Sequence, residues 1–273
     1  MFSVHFMNRP LEERSLDFAH CPWTIKDVFI VFSYAIALFF VFCFWLSLLY
    51  FLAGFVSGHS LHILDFVRET FKGAADVYAV LVFYAALFIA MKVKIFKKYG
   101  IREFDFFVKK DRIRDDVFYG AVMYLKFLAF VVLGVFLIFC VAAIGDILFK
   151  AGTVEKVDVF FIASNLERLE TEERVTGLLG IVFLFCIAPF FEELFFRGCL
   201  YRALRGRFRR SFAILASSFI FAALHGYFFL FAYVFLVGIL LAHMYEKRES
   251  LVAPLTFHML NNLFVLILLL MKF

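Results

Sequence analysis

Several signatures are missing from this 273-residue chain, and each absence narrows its function. No Cys-x-x-Cys pair occurs among its five cysteines, which read instead as small buried hydrophobes. No HExxH occurs, so the usual two-histidine zinc helix of metallopeptidases is lacking. Nucleic-acid motifs and basic stripes are absent too, and the net charge of +5 does not point to a nucleic-acid partner. No internal repeat or disordered linker divides the chain. In the apolar segments of the C-terminal part, no serine or cysteine stands beside a histidine to suggest a covalent nucleophile.

Charge is scarce as well. Charged residues make up 19% against 64% hydrophobic, with 44 phenylalanines and a mean hydropathy of +0.92. A soluble domain of this length is closer to half apolar, so the composition predicts an integral, multi-pass membrane protein. The first residues, MFSVHFMNRPLEERSLDFAHCPWTIKD, are polar and of mixed charge. They lack the early apolar stretch and small-residue cleavage site of a signal peptide, so the first apolar run is expected to stay as an anchor.

Apolar runs at about 28–53, 75–96, 117–147, 175–204, 211–225, 227–245 and 251–271 approach or exceed the ~20 residues needed to cross a bilayer. The expected fold is an all-α, polytopic transmembrane bundle of about seven helices, six to eight, with the site residues on the last four spans. The third run is long enough to be tilted or broken near Gly134. Residues 1–26 read as a cytoplasmic N-terminal segment and 27–273 as a single transmembrane domain. The loops MKVKIFKKYGIREFDFFVKKDRIRDD, RALRGRFRR and EKRES are basic, whereas EKVDVFFIASNLERLETEERV leans acidic. Seven spans starting inside put the three basic loops in the cytoplasm and the acidic one outside. Trp23 is expected to anchor the chain at the membrane interface.

Against this background a few polar residues stand out. A carboxylate at the centre of a membrane helix costs roughly 2.5–3.5 kcal/mol on insertion scales. APFFEELFFRG nevertheless holds Glu192, Glu193 and Arg197. Glu193 and Arg197 are four apart, on one helix face and able to pair, while Glu192 points ~100° away. Pro189, lacking an N–H, is expected to kink the helix just before them. Phe221 and His225 share the same spacing, and so do His258 and Asn262. Counted from the basic turns at ~1.5 Å per residue, Glu192 and His225 both lie roughly 20 Å deep, with Asn262 at ~18 Å and His258 one turn lower. Three helices thus offer Glu, His, His and Asn at similar depth.

That set can hold a water between a carboxylate and an imidazole and give hydrogen bonds to a developing oxyanion. It could equally bind zinc through Glu and His ligands with an open position for water. Taken singly, each residue has a plainer explanation. Glu193 with Arg197 is an ion pair, Phe221 is packing, and Asn261 or Asn262 can hydrogen-bond between helices.

In order along the chain, Glu192-Glu193-xxx-Arg197, Phe221-xxx-His225 and His258-xxx-Asn262 resemble the three motifs of the CPBP intramembrane proteases, the CAAX-processing and bacteriocin-processing (Abi) family. The likeness covers about residues 175–270 and is similar to CAAX prenyl endopeptidases, and GIREFDFFVKKDRIRDDVFYG looks like the cytoplasmic segment that precedes the motifs. It implies a hydrolytic water activated by Glu192 and His225, with an oxyanion site at His258 and Asn262. Glu193 and Arg197 would orient the first pair or contact substrate, and Phe221 would line the pocket.

The implied partners are the lipid bilayer and a membrane-anchored peptide or prenylated protein. In a prokaryote the location would be the cytoplasmic membrane. Hydrolysis without a cofactor is the preferred reading. The zinc alternative would use Glu192, His225 and His258. The functional alternative is a non-enzymatic immunity or partner-binding protein of the same fold, and a transporter is disfavoured by the lack of a repeat.

Overall fold

The computed structural model describes residues 21–57, 74–101, 108–149, 183–226 and 230–270, and every regular element among them is helical. The first helix, α1 (Ile25–Ser57), opens with a reciprocal cap. The Thr24 backbone N–H and hydroxyl both donate to Asp27 Oδ2, at 2.7 and 2.8 Å, and the Asp27 N–H donates back to Thr24 Oγ1 at 3.2 Å. The same carboxylate then receives Lys98 Nζ at 2.7 Å and the Tyr99 hydroxyl at 3.0 Å. Those two residues follow α2 (Ala74–Met91) and the wide π-type turns over Lys92–Lys97. One aspartate therefore closes α1 and α2 into an antiparallel hairpin.

Helix α3 (Ile113–Phe149) carries Asp115 and Asp116 in its first turn, where the helix dipole favours negative charge. It runs unbroken through Gly134, around which a Cβ would meet nothing within 4 Å. The break considered there does not occur, because one glycine costs only about 1 kcal/mol against a long uninterrupted ladder of hydrogen bonds. The fourth helix, α4, spans 183–205 and alternates in pitch: π-type over Phe183–Ile187, α over Ala188–Glu193, π-type over Leu194–Tyr201 and α over Arg202–Arg205. Three regular helices follow: α5 (Arg210–Leu224), α6 (Phe231–Arg248) and α7 (Val252–Leu270).

Seven helical segments thus lie among the described residues, near the seven expected runs. The acidic loop around 154–174, the start of the fourth run and most of the N-terminal segment lie outside them.

The helices pair α1 with α2, α3 with α7, and α5 with α6, while α7 also lies against α4. Two contacts depend on glycine. A Cβ on Gly120 of α3 would sit 2.4 Å from the Ala253 carbonyl oxygen of α7. One on Gly238 of α6 would come within 3.1 Å of the Ser218 side chain and 3.3 Å of Phe221 on α5. Small residues of this kind let helix backbones approach closely.

The basic turns collect at one end of the molecule, tied by Arg248–Asp116 (2.5 Å), Lys109–Glu249 (2.6 Å) and Arg205–Glu246 (3.0 Å). Arg207 reaches the Trp23 carbonyl at the same end. Trp23 itself is fully buried and donates its indole N–H to the Cys199 carbonyl of α4 at 2.9 Å. The interfacial role expected for it is therefore replaced by a core one. The wide π turn gives the physical reason, because it presents backbone carbonyls to partners outside the helix.

Cys21, Cys140, Cys186 and Cys199 are free thiols. Burial pushes the Cys21 thiol up to about 12, which leaves it without a reactive thiolate near neutral pH.

Two helices, over Ile25–Trp45 and Lys110–Ile144, are long and apolar enough to cross a membrane. Only 6% of the most apolar window in the second is buried, so it is not the core helix of a water-soluble domain.

Candidate active site

The site is built around the change of pitch in α4. Pro189 falls at the start of the Ala188–Glu193 stretch and cannot donate to the preceding turn. The helix widens on either side of this stretch, and Glu192 and Glu193 sit at its end. π-Type insertions of this sort often occur at functional positions.

Glu193 and Arg197 pair as their spacing predicts, with Arg197 donating to Glu193 Oε1 at 2.9 Å and both side chains almost wholly buried. A second guanidinium N–H reaches the Gly238 carbonyl of α6 at 3.3 Å, and the guanidinium carbon lies 4.4 Å from the Phe221 ring centroid. Gly238 therefore lets the helices approach and also supplies an acceptor. Nothing in the sequence pattern singled it out.

The same Glu193 oxygen accepts a second contact, from His258 Nδ1 of α7 at 2.8 Å. An ionised carboxylate only accepts, so Nδ1 carries the proton. Glu193 thus bonds His258 as well as Arg197, a contact that the family likeness did not name.

His225 is fixed differently. It caps the C-terminal end of α5, where Gly226 turns the chain away with φ +71°. Its Nδ1 lies 2.7 Å from the Phe221 carbonyl, one of the carbonyls left without a helical partner at the end of the helix. A carbonyl cannot donate, so here too Nδ1 holds the hydrogen. Phe221 packs against both imidazoles, with ring centroids 4.3 Å from His225 and 5.8 Å from His258. Its buried ring wedges the two histidines apart and covers Arg197.

With both Nδ1 atoms engaged, both Nε2 atoms face the remaining carboxylate. Glu192 Oε2 lies 3.7 Å from His225 Nε2 and 3.6 Å from His258 Nε2. These separations exceed a direct hydrogen bond and suit a shared third group. The other oxygen, Oε1, accepts a hydrogen bond from the Tyr84 hydroxyl of α2. Glu192 and His225 keep 15% and 25% of their side chains exposed, against 5% for His258, so the site opens on the Glu192–His225 side.

Asn262, one turn beyond His258, is half-buried. Its neighbour Asn261 accepts from the Tyr233 hydroxyl at 2.6 Å and links α7 to α6, the inter-helix role considered for it.

The donor chemistry is compatible with zinc. Two ligands of one tetrahedral zinc lie about 3.4 Å apart, close to both Glu192–histidine separations, and each histidine already gives its second nitrogen to an oxygen, as metal-bound imidazoles do. Among the described residues, however, no three His, Cys, Asp or Glu side chains converge as a formed metal site.

On the helices of the described residues, a carboxylate faces two imidazoles whose Nδ1 atoms are both engaged, an arrangement with room for a water between them. Residues 174–264, about a third of the chain, match the family model described as Type II CAAX prenyl endopeptidase Rce1-like. That segment is similar to the CAAX peptidase family, which the three motifs also resemble. No curated protein and no solved structure matches the chain.

Proposed function

We propose that the protein is a multi-pass intramembrane endopeptidase that hydrolyses a peptide bond in membrane-anchored, prenylated CAAX-type substrates. Its basic end would lie in the cytoplasm. One observation carries the chemistry. Glu192 Oε2 faces the Nε2 atoms of His225 and His258, both of which are proton acceptors in the neutral ring. The family match supports the substrate class.

In this reading a water rests against Glu192 Oε2 and His225 Nε2. Glu192 removes one proton while the water oxygen bonds to the scissile carbonyl carbon, and the π electrons move to the carbonyl oxygen. The Asn262 amide donates to that oxyanion. His258 can join it only after its Nε2 has gained a proton, since its Nδ1–H is held by Glu193. When the C–N bond breaks, the proton on Glu192 passes to the leaving amine. The polar residues of α4 to α7 would be enclosed by helices, and the apolar flanks of α1 and α3 would face lipid.

The test is cleavage of a farnesylated CAAX reporter peptide by the purified full-length chain, beside a Glu192→Gln variant. Release of the C-terminal tripeptide by the wild type, with a loss of about 10²–10⁴-fold in the variant, is expected for a general base. Equal turnover by both would remove Glu192 from the chemistry. Activity that survives a chelator supports the metal-free form. Activity that the chelator abolishes and zinc restores would support the zinc form, in which Glu192, His225 and His258 would hold the metal and it would polarise the water.

A further inference from the structure

We infer that Tyr84 is a positioning residue for Glu192: its hydroxyl fixes which carboxylate oxygen faces the two histidines. The inference rests on the peptidase reading for its catalytic consequence, but not for the contact itself. A glutamate carboxylate turns readily about its last side-chain torsion, which has a broad profile. Glu192 therefore needs a partner on one oxygen if the other is to stay aimed at His225 and His258. The Tyr84 hydroxyl donates to Oε1, leaving Oε2 at 3.7 and 3.6 Å from the imidazole nitrogens. The neighbouring cation does not take over that task, because Arg197 bonds Glu193 and the Gly238 carbonyl.

The tyrosine is itself held in place. Its ring stacks on Phe191 at 5.7 Å and 14°, one residue from Glu192. Phe88, one turn further along α2, meets Phe191 edge-on at 5.8 Å. The adjacent Phe83 contacts Phe32 of α1 at 6.3 Å. The aromatic face of the α1–α2 hairpin thus sets the register between Tyr84 and Glu192. Tyr84 lies outside the matched stretch 174–264, so the motif-bearing helices do not by themselves contain the whole site.

The experiment uses the full-length protein and a Tyr84→Phe variant, which keeps the ring and its stacking. Two readouts are taken: steady-state cleavage of the farnesylated reporter, and the infrared carboxylate band of Glu192, identified by its absence in Glu192→Gln. The expected result is a kcat about tenfold lower with KM within about twofold and an unchanged melting temperature. The Glu192 band is expected to shift. Phe191→Leu, which keeps the hydroxyl but loosens the ring, is expected to lower kcat only about two- to threefold.

A band that does not move in Tyr84→Phe overturns the contact. A band that moves while kcat stays at the wild-type level overturns the positioning role. If the wild type leaves the reporter uncut, the peptidase reading fails, and the band still decides the contact between Tyr84 and Glu192.

Discussion

Helices α3 and α4 are both rich in phenylalanine, leucine and valine, yet they are used in opposite ways. On the outer flank of α3 the large side chains point away from the protein, with Phe130 67% and Phe136 61% exposed, and no charge lies between Lys126 and Asp146. Along α4 every residue from Glu193 to Leu204 is buried, including Arg197 and Arg202. The difference shows where a nonpolar chain can keep charge. A buried charge needs a fixed partner of opposite sign and further hydrogen bonds, and only a helix surrounded by others can supply them. A helix with an open flank has no such partners, so its sequence there is uniformly apolar.

The largest stability effect that would sharpen this contrast is in α4. Arg197→Met should leave the buried Glu193 without its opposite charge, held only by the His258 N–H, and cost about 3–5 kcal/mol. Thermal unfolding in detergent would show it as a large drop in melting temperature. The double variant Glu193→Gln/Arg197→Met should recover most of that loss. A double variant as unstable as the single one would mean that the pair is not what holds this region.

A smaller effect is expected where α3 meets α7. Gly120→Ala places a methyl 2.4 Å from the Ala253 carbonyl oxygen, a backbone atom that cannot rotate aside. Overpacking of this kind costs about 1–3 kcal/mol, measurable by the same melts. A neutral result would show that α3 can slide freely on α7. The smallest effect belongs to the open flank of α3. Phe136→Leu should change stability by no more than about 0.5 kcal/mol. A loss of several times that amount would mean that this flank packs against protein, and the contrast with α4 would fail.

How legible the site was depended on how local each relation is. Glu193 with Arg197 could be read from a spacing of four, because helix geometry fixes that contact. The convergence of Glu192, His225 and His258 could be anticipated from equal depth, since antiparallel helices of known rise bring such positions level. The partner of each histidine could not be read this way. His258 takes Glu193 and His225 takes its own helix's Phe221 carbonyl. Those choices depend on side-chain rotamers and on the pitch changes around Pro189. Tyr84 and Gly238 gave no signal, since a tyrosine among aromatics and a glycine in an apolar run look like ordinary packing.

The sequence by itself determined the helical class and the approximate helix count of the described residues, and which polar residues stand out against the apolar background. Composition and helical periodicity are properties of short stretches of chain, and they survive without knowledge of the packing. Tertiary structure alone decided that α3 stays whole at Gly134 and that Trp23 is buried beneath a π turn. It also decided the pairing of Glu193 with His258, and that a tyrosine from the N-terminal hairpin grips Glu192. The physical reason is one of range. Hydrogen bonds between residues 65 and 108 positions apart are set by how whole helices seat against one another, and that seating is a sum over many side chains that no local pattern contains.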